Sequence, residues 1–107
     1  MADIVIHESD ADGTIQVARD DVVIVELEES IGTGYSWEVA GAVRRGVEVV
    51  GSTHVPAAHA MPGAAGTRRV RLAAREAGTA EVELVLRRPW EDADAVIRRL
   101  VLRFSIL

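Results

Sequence analysis

The sequence predicts an all-β fold, an immunoglobulin-like β-sandwich of about seven to eight antiparallel strands, filling a single domain over residues 1–107. Three observations carry this. Apolar and polar residues alternate with period two along most of the chain. Turn-forming Gly, Asp and Pro recur about every 8 to 12 residues, the spacing of a small sandwich. One tryptophan, Trp37, falls in the third main strand, where sandwiches of this kind bury a core anchor.

The elements follow in order. Ile4 to His7 reads as an extra strand ahead of the main seven, which are lettered A to G here. Strand A, Thr14-Ile15-Gln16-Val17, alternates. Strand B, Val22 to Glu28, sets Val23, Val25 and Leu27 on one face. In strand C, Tyr35 and Trp37 share a face between Ser36 and Glu38. Strand D begins at Val47 and runs toward Val55. Strand E, Arg69 to Ala73, and strand F, Glu81 to Arg87, alternate charge with apolar residues, so their arginines read as a wet face. Strand G turns Leu100, Leu102, Phe104 and Ile106 inward. Ala57-Ala58 and Ala73-Ala74 are too short for helices, and Pro56 and Pro62 bracket the first pair, so no helix beyond a turn is expected.

Composition narrows the function classes. Hydrophobic residues make up 49% and charged residues 27%, a globular balance. No apolar run approaches the roughly 18 residues of a membrane span. The absence of cysteine removes disulfides, thiolate metal sites and a cysteine nucleophile together. Net charge is -5, all twelve basic residues are Arg, and no basic stripe exists to meet a phosphate backbone, so no nucleic-acid partner is expected. Met1-Ala2-Asp3-Ile4 has neither a basic nor a long apolar leader region, which places the chain in the cytoplasm as written; a secreted or periplasmic location requires a leader now removed.

Strand direction carries the first functional statement. If consecutive strands run antiparallel, the B–C, D–E and F–G connections lie at one end. These are Glu29–Gly34, Pro56–Gly66 and Pro89–Ala95, the three long ones bearing Gly or Pro. The connections at the other end, A–B at Asp20-Asp21, C–D marked by Gly41 and Gly46, and E–F at Ala77-Gly78, read as tight turns. Loops elaborated on one end of a rigid sandwich are how such folds build binding surfaces.

The loops read Ser30-Ile31-Gly32-Thr33-Gly34-Tyr35 followed by Trp37, then Gly63-Ala64-Ala65-Gly66, then Arg88-Pro89-Trp90. In order and spacing this resembles the chagasin-like inhibitors of papain-family cysteine peptidases, which show Asn-Pro-Thr-Thr-Gly-Tyr and Trp, Gly-X-Gly-Gly, and Arg-Pro-Trp. The resemblance runs from about Gly13 to Phe104 and includes the Ala77-Gly78-Thr79 turn. It implies a reversible, tight-binding inhibitor acting as a monomer on a papain-like cysteine peptidase, without cofactor or metal. The B–C loop would enter the active-site cleft, and the other two would grip its rim. Two departures stand out. Ser30-Ile31-Gly32 replaces Asn-Pro-Thr, and losing the proline while gaining a glycine leaves a free loop less rigid, at ~1 kcal/mol of ordering on binding. Ala65 replaces a glycine, which is harmless only at negative φ. The second reading is a non-inhibitory interaction module of the same fold, with an unknown cytoplasmic partner.

Each candidate has a structural reading beside the functional one. Trp90 is either an aromatic lid over the sandwich end or an exposed binding anchor, and tryptophan's weight in interfaces favours the anchor. Trp37 reads as core, and Tyr35 as core or loop support. Arg88 either donates to a partner or braces a loop carbonyl. Gly63 and Gly66 read as conformational first and contacting second. Thr33-Gly34 is a tight turn or a binding tip. His7, His54 and His59 are isolated from one another in sequence, and the His54–His59 pair has no accompanying carboxylate, so no metal site is expected. Glu91-Asp92-Asp94 lacks the EF-hand pattern. A glycan-stacking role for Trp90 and Tyr35 is disfavoured by a total of four aromatics. No serine sits in a nucleophile elbow, and Glu26 and Glu28 project from one strand rather than across a cleft, so the chain is not expected to be an enzyme.

Overall fold

A computed structural model describes residues 2–11, 13–40, 46–57, 65–92 and 94–107. Among the described residues eight strands form where alternation predicts them: β1 (Asp3–His7), β2 (Thr14–Val17), β3 (Val22–Glu29), β4 (Ser36–Val39), β5 (Val47–Val55), β6 (Gly66–Ala74), β7 (Gly78–Arg87) and β8 (Val96–Ile106). Short 3-10 turns at Glu8–Ala11 and Ile31–Thr33 are the only helical segments among the described residues.

The strands make two four-stranded sheets, ordered β1-β3-β6-β5 and β2-β8-β7-β4. The sequence-derived strands A to G are therefore β2 to β8, with β1 the extra one. The hairpin neighbours are antiparallel, as expected, but the outermost pairings, β1 with β3 and β2 with β8, are parallel. The cause is topological. The chain leaves one sheet after β1, crosses through the Glu8–Ala11 turn and enters the other as β2, so neither strand is joined to its neighbour by a hairpin.

The core lies between the sheets and comes from the period-two faces. Val23, Val25 and Leu27 of β3 meet Val70 and Leu72 of β6 on one side, and Leu84, Leu102 and Phe104 on the other. Trp37 is 3% exposed within this cluster, as its strand position predicts. At the end away from the long loops, Asp20 takes φ 75° and Asp21 accepts hydrogen bonds from the Ala2 and Ala18 amides, both at 2.9 Å. Those amides, Ala18 first, hold the Asp21 carboxyl below its ordinary range.

One irregularity matters for the site. The β5–β6 register shifts between Val49 and Gly51, so Val50 is an extra residue. Before the bulge Val47 and Val49 oppose the inward Ala74 and Leu72. After it Ser52 and His54 oppose the inward Val70 and Arg68. A one-residue bulge reverses which side chains face in.

Candidate binding site at the three-loop end

The register brings the three connections to one end. β3 finishes where β6 begins, with Glu29 opposite Gly66, and β5 finishes with Val55 opposite Thr67. In the other sheet Arg87, the last residue of β7, pairs with Ser36 at the start of β4 and Val96 at the start of β8. The Trp37 indole N–H donates to the Glu28 carbonyl at 3.1 Å and ties the two sheets together at this end.

The B–C loop is ordered by its own polar groups. The Ser30 carbonyl accepts from both the Thr33 amide (3.1 Å) and the Thr33 hydroxyl (2.7 Å), closing the 3-10 turn over Ile31–Thr33. The Thr33 Oγ1 then accepts from the Tyr35 amide at 3.3 Å. Gly32 and Thr33 are exposed, forming the outward tip. Gly34 sits at φ 82°, a left-handed conformation that favours glycine.

The F–G loop is fastened onto this tip. Arg88 donates from Nε to the Thr33 carbonyl at 3.0 Å, and its guanidinium stacks 4.3 Å from the centre of the Tyr35 ring. Both structural readings of these residues are therefore realised: Arg88 braces a loop carbonyl, and the half-buried Tyr35 supports the loop. Trp90 is 71% exposed and lies against Gly34, where a Cβ would fall 2.1 Å from the ring. Its ring is seated on the neighbouring loop rather than roofing the core. Arg87 holds the base of the F–G turn through the Arg88 and Glu91 carbonyls, at 3.3 and 3.2 Å, and pairs with Glu38.

The D–E connection requires a correction. Gly66 is the first residue of β6, buried and in register, and is not part of an exposed loop. Its glycine identity follows from crowding: a Cβ would sit 2.5 Å from the Val55 carbonyl and 2.6 Å from the His54 ring. It shapes the loop's root and offers a partner no surface. Ala65 is half-buried and is absent from the positive-φ residues, of which Asp20 is the one non-glycine among the described residues. Gly63 and Ala64, together with His59, fall outside the described residues.

Beneath the loops lies a charged cluster that the sequence reading missed. Glu29, read there as loop, is the last residue of β3, and its side chain is 0% exposed. It accepts from the Trp37 amide (2.7 Å), from Arg68 Nη2 (2.9 Å) and Nε (3.1 Å), and from His54 Nδ1 (2.7 Å), which must carry a proton to donate. Burial alone pushes the Glu29 carboxyl up; Arg68, the Trp37 amide and His54 outweigh it and hold the group below its ordinary value. Arg68 falls outside the expected strand E, Arg69 to Ala73, yet it belongs to β6 and lies in step with the inward Val70 and Leu72. Parity was an available signal, because Glu29 follows Val23, Val25 and Leu27 at even spacing.

An open groove of about 630 Å³ lies beside the B–C loop, and its lining includes Glu8, Ser30, Thr33, Tyr35 and Arg98. Among the described residues no group of three or more His, Asp or Glu side chains is placed to hold a metal ion.

A family model, chagasin family peptidase inhibitor I42, matches residues 16–104. Among solved structures, the chain resembles the cysteine protease inhibitor EhICP2 from Entamoeba histolytica (22% identity, TM-score 0.84, covering 99% of this chain and 96% of that one). It also resembles amebosin (24% identity, TM-score 0.80, 97% of each chain). PbICP-C, solved in complex with falcipain-2, superposes with TM-score 0.63 at 13% identity, over 98% of this chain and 89% of that one. No match was found among curated proteins.

Proposed function

The chain belongs to the chagasin family of peptidase inhibitors, and we propose that it reversibly blocks papain-type cysteine peptidases by seating its three-loop end over the active-site cleft. One observation carries this reading: Arg88, Tyr35, Trp90 and Gly34 lock two of the three loops into a single projecting unit with an exposed tryptophan. Support for the target class comes from the fold shared with a cysteine protease inhibitor and with a protein solved in complex with falcipain-2.

The mechanism is steric. Ile31–Thr33 would enter the cleft as a turn, held by the Ser30 carbonyl. A peptidase cleaves an extended segment laid along its subsites. A turn fixed by internal hydrogen bonds presents no scissile bond in the near-attack geometry that cleavage needs. Trp90 and the D–E connection would meet the rim, Trp90 as the buried aromatic anchor typical of tight interfaces. The groove beside Tyr35 then faces the same partner. The chain acts as a plug: Thr33 donates its hydroxyl to the Ser30 carbonyl and accepts from the Tyr35 amide, so the group at the tip serves the turn.

A titration decides the matter. Increasing amounts of the protein added to papain with a fluorogenic peptide substrate should abolish activity near stoichiometric ratio, and activity should return on dilution. Full papain activity at micromolar protein would refute inhibition and leave an interaction module.

A further inference from the structure

We infer that His54 and Arg68 are positioning residues that hold the roots of the B–C and D–E loops at a fixed spacing by clamping the buried Glu29 between them. The consequence for inhibition rests on the function proposed above; the clamp itself does not.

Glu29 immediately precedes Ser30, so its placement sets where the B–C loop leaves the sandwich. Three strands hold it: β4 through the Trp37 amide, β6 through Arg68, and β5 through His54. Arg68 reaches both carboxylate oxygens from Nε and one from Nη2, a charge-assisted contact that fixes the side chain's rotation as well as its charge. His54 does something different. Its Nδ1 faces Glu29, while its opposite edge, Nε2 and Cε1, lies over Gly66 so closely that a Cβ there would be 2.6 and 2.7 Å away. One imidazole therefore touches the last residue before the first loop and the residue at which the D–E connection rejoins the sheet.

The bulge at Val50 makes this possible by turning His54 inward. Stability alone explains the cluster poorly. Well-packed apolar residues usually replace a buried ion pair at no loss, because desolvating the charges cancels much of their attraction. Directional hydrogen bonds from three strands supply geometry instead.

The test uses the whole protein with four substitutions and two readouts. Amide hydrogen exchange in the free protein reports opening at the loop roots, and the papain titration reports inhibition. His54→Ala should speed exchange at Val55, Gly66 and Thr67 about tenfold or more, leave Ala73 and Ala74 at the far end unchanged, and weaken inhibition about tenfold. His54→Asn, whose amide reaches the place of Nδ1, should restore both to within about threefold. Arg68→Lys, which loses the two-pronged contact, should behave as His54→Ala does and carries the test if that variant does not fold. Trp90→Ala should leave root exchange at the wild-type rate. Unchanged root exchange in both His54→Ala and Arg68→Lys overturns the clamp. So does an equal acceleration at Ala73 and Ala74, which would mark global weakening, and so does failure of His54→Asn to rescue. If the wild type leaves papain untouched while His54→Ala still frees the roots, the inhibitor reading falls and the clamp stands. If the wild type inhibits and His54→Ala inhibits equally, positioning falls alone.

Discussion

Gly34 is where a single methyl group should do most damage. A Cβ at this position would fall 2.1 Å from one Trp90 ring carbon and 2.9 Å from the next. Carbon atoms settle near 3.5–4.0 Å, so the indole of a Gly34→Ala variant must retreat by about 1.5 Å. The backbone, at φ 82°, adds its own cost of about 1 kcal/mol for a residue with a side chain. Thermal melts should register that strain as a drop of about 4–8 °C. The larger effect falls on papain inhibition, because the ring's retreat separates the two loops that would approach the cleft together. The inhibition constant should rise about tenfold or more, equivalent to about 1.4 kcal/mol. A double-mutant cycle isolates the cause. With the indole already removed by Trp90→Ala, Gly34→Ala meets no clash and only the backbone cost remains. The two substitutions should therefore be non-additive by about 1 kcal/mol or more. Additive effects would refute the seating of Trp90 on Gly34.

Trp90→Ala alone should weaken papain inhibition by ~2 kcal/mol, about thirtyfold, as expected of an exposed aromatic anchor; a loss under about threefold would remove it from the interface. Arg88→Lys keeps the charge but loses the planar group that stacks on Tyr35 while donating to Thr33, so inhibition should weaken about fivefold with the melting temperature unchanged. The Glu29 carboxyl, held below its ordinary value of 4.5, contributes stability that is complete above that pH and is lost as pH falls through the lower folded value. Urea melts from pH 7 to 3 should show this acid loss, in which Asp21 shares. Glu29→Gln should be less stable at neutral pH and lose less on acidification; an unchanged acid limb would exclude Glu29 from it.

Alternation made most of the fold legible. Trp37, Leu102, Phe104 and Ile106 lie where period two puts them, and the B–C, D–E and F–G connections share an end as strand direction predicts. The C–D connection at the other end, residues 40–46, is as long as B–C and not the tight turn expected. His54 was not legible, because its orientation depends on an unsignalled bulge. Read with unbroken alternation, β5 would turn Val47, Val49, Thr53 and Val55 inward; the extra Val50 places His54 inside and leaves Val55 42% exposed. Glu29 was obscured differently. Its parity with Leu27 marks it as inward, yet a carboxylate beside Ser30 and Gly32 reads as a loop residue unless its partners are known, and those partners, His54 and Arg68, lie 25 and 39 residues away. The parallel pairings escape for a similar reason: hairpin logic describes strands joined by short turns, and β1 and β2 are not so joined to their neighbours.

The departure at Ser30-Ile31-Gly32 shows where loop stiffness comes from. A proline restrains a loop through one fixed dihedral, before any tertiary contact forms. Here the same stretch is restrained from outside. The Ser30 carbonyl closes the turn, Arg88 holds the Thr33 carbonyl, and the Trp90 ring covers Gly34. Two of these three restraints belong to the F–G loop. The stiffness of the tip proposed to enter the cleft thus becomes a property of the loop pair: damage to Arg88 should cost inhibition through a tip released from its frame, and damage to Trp90 should cost it twice, through that release and through its own proposed contact with the peptidase.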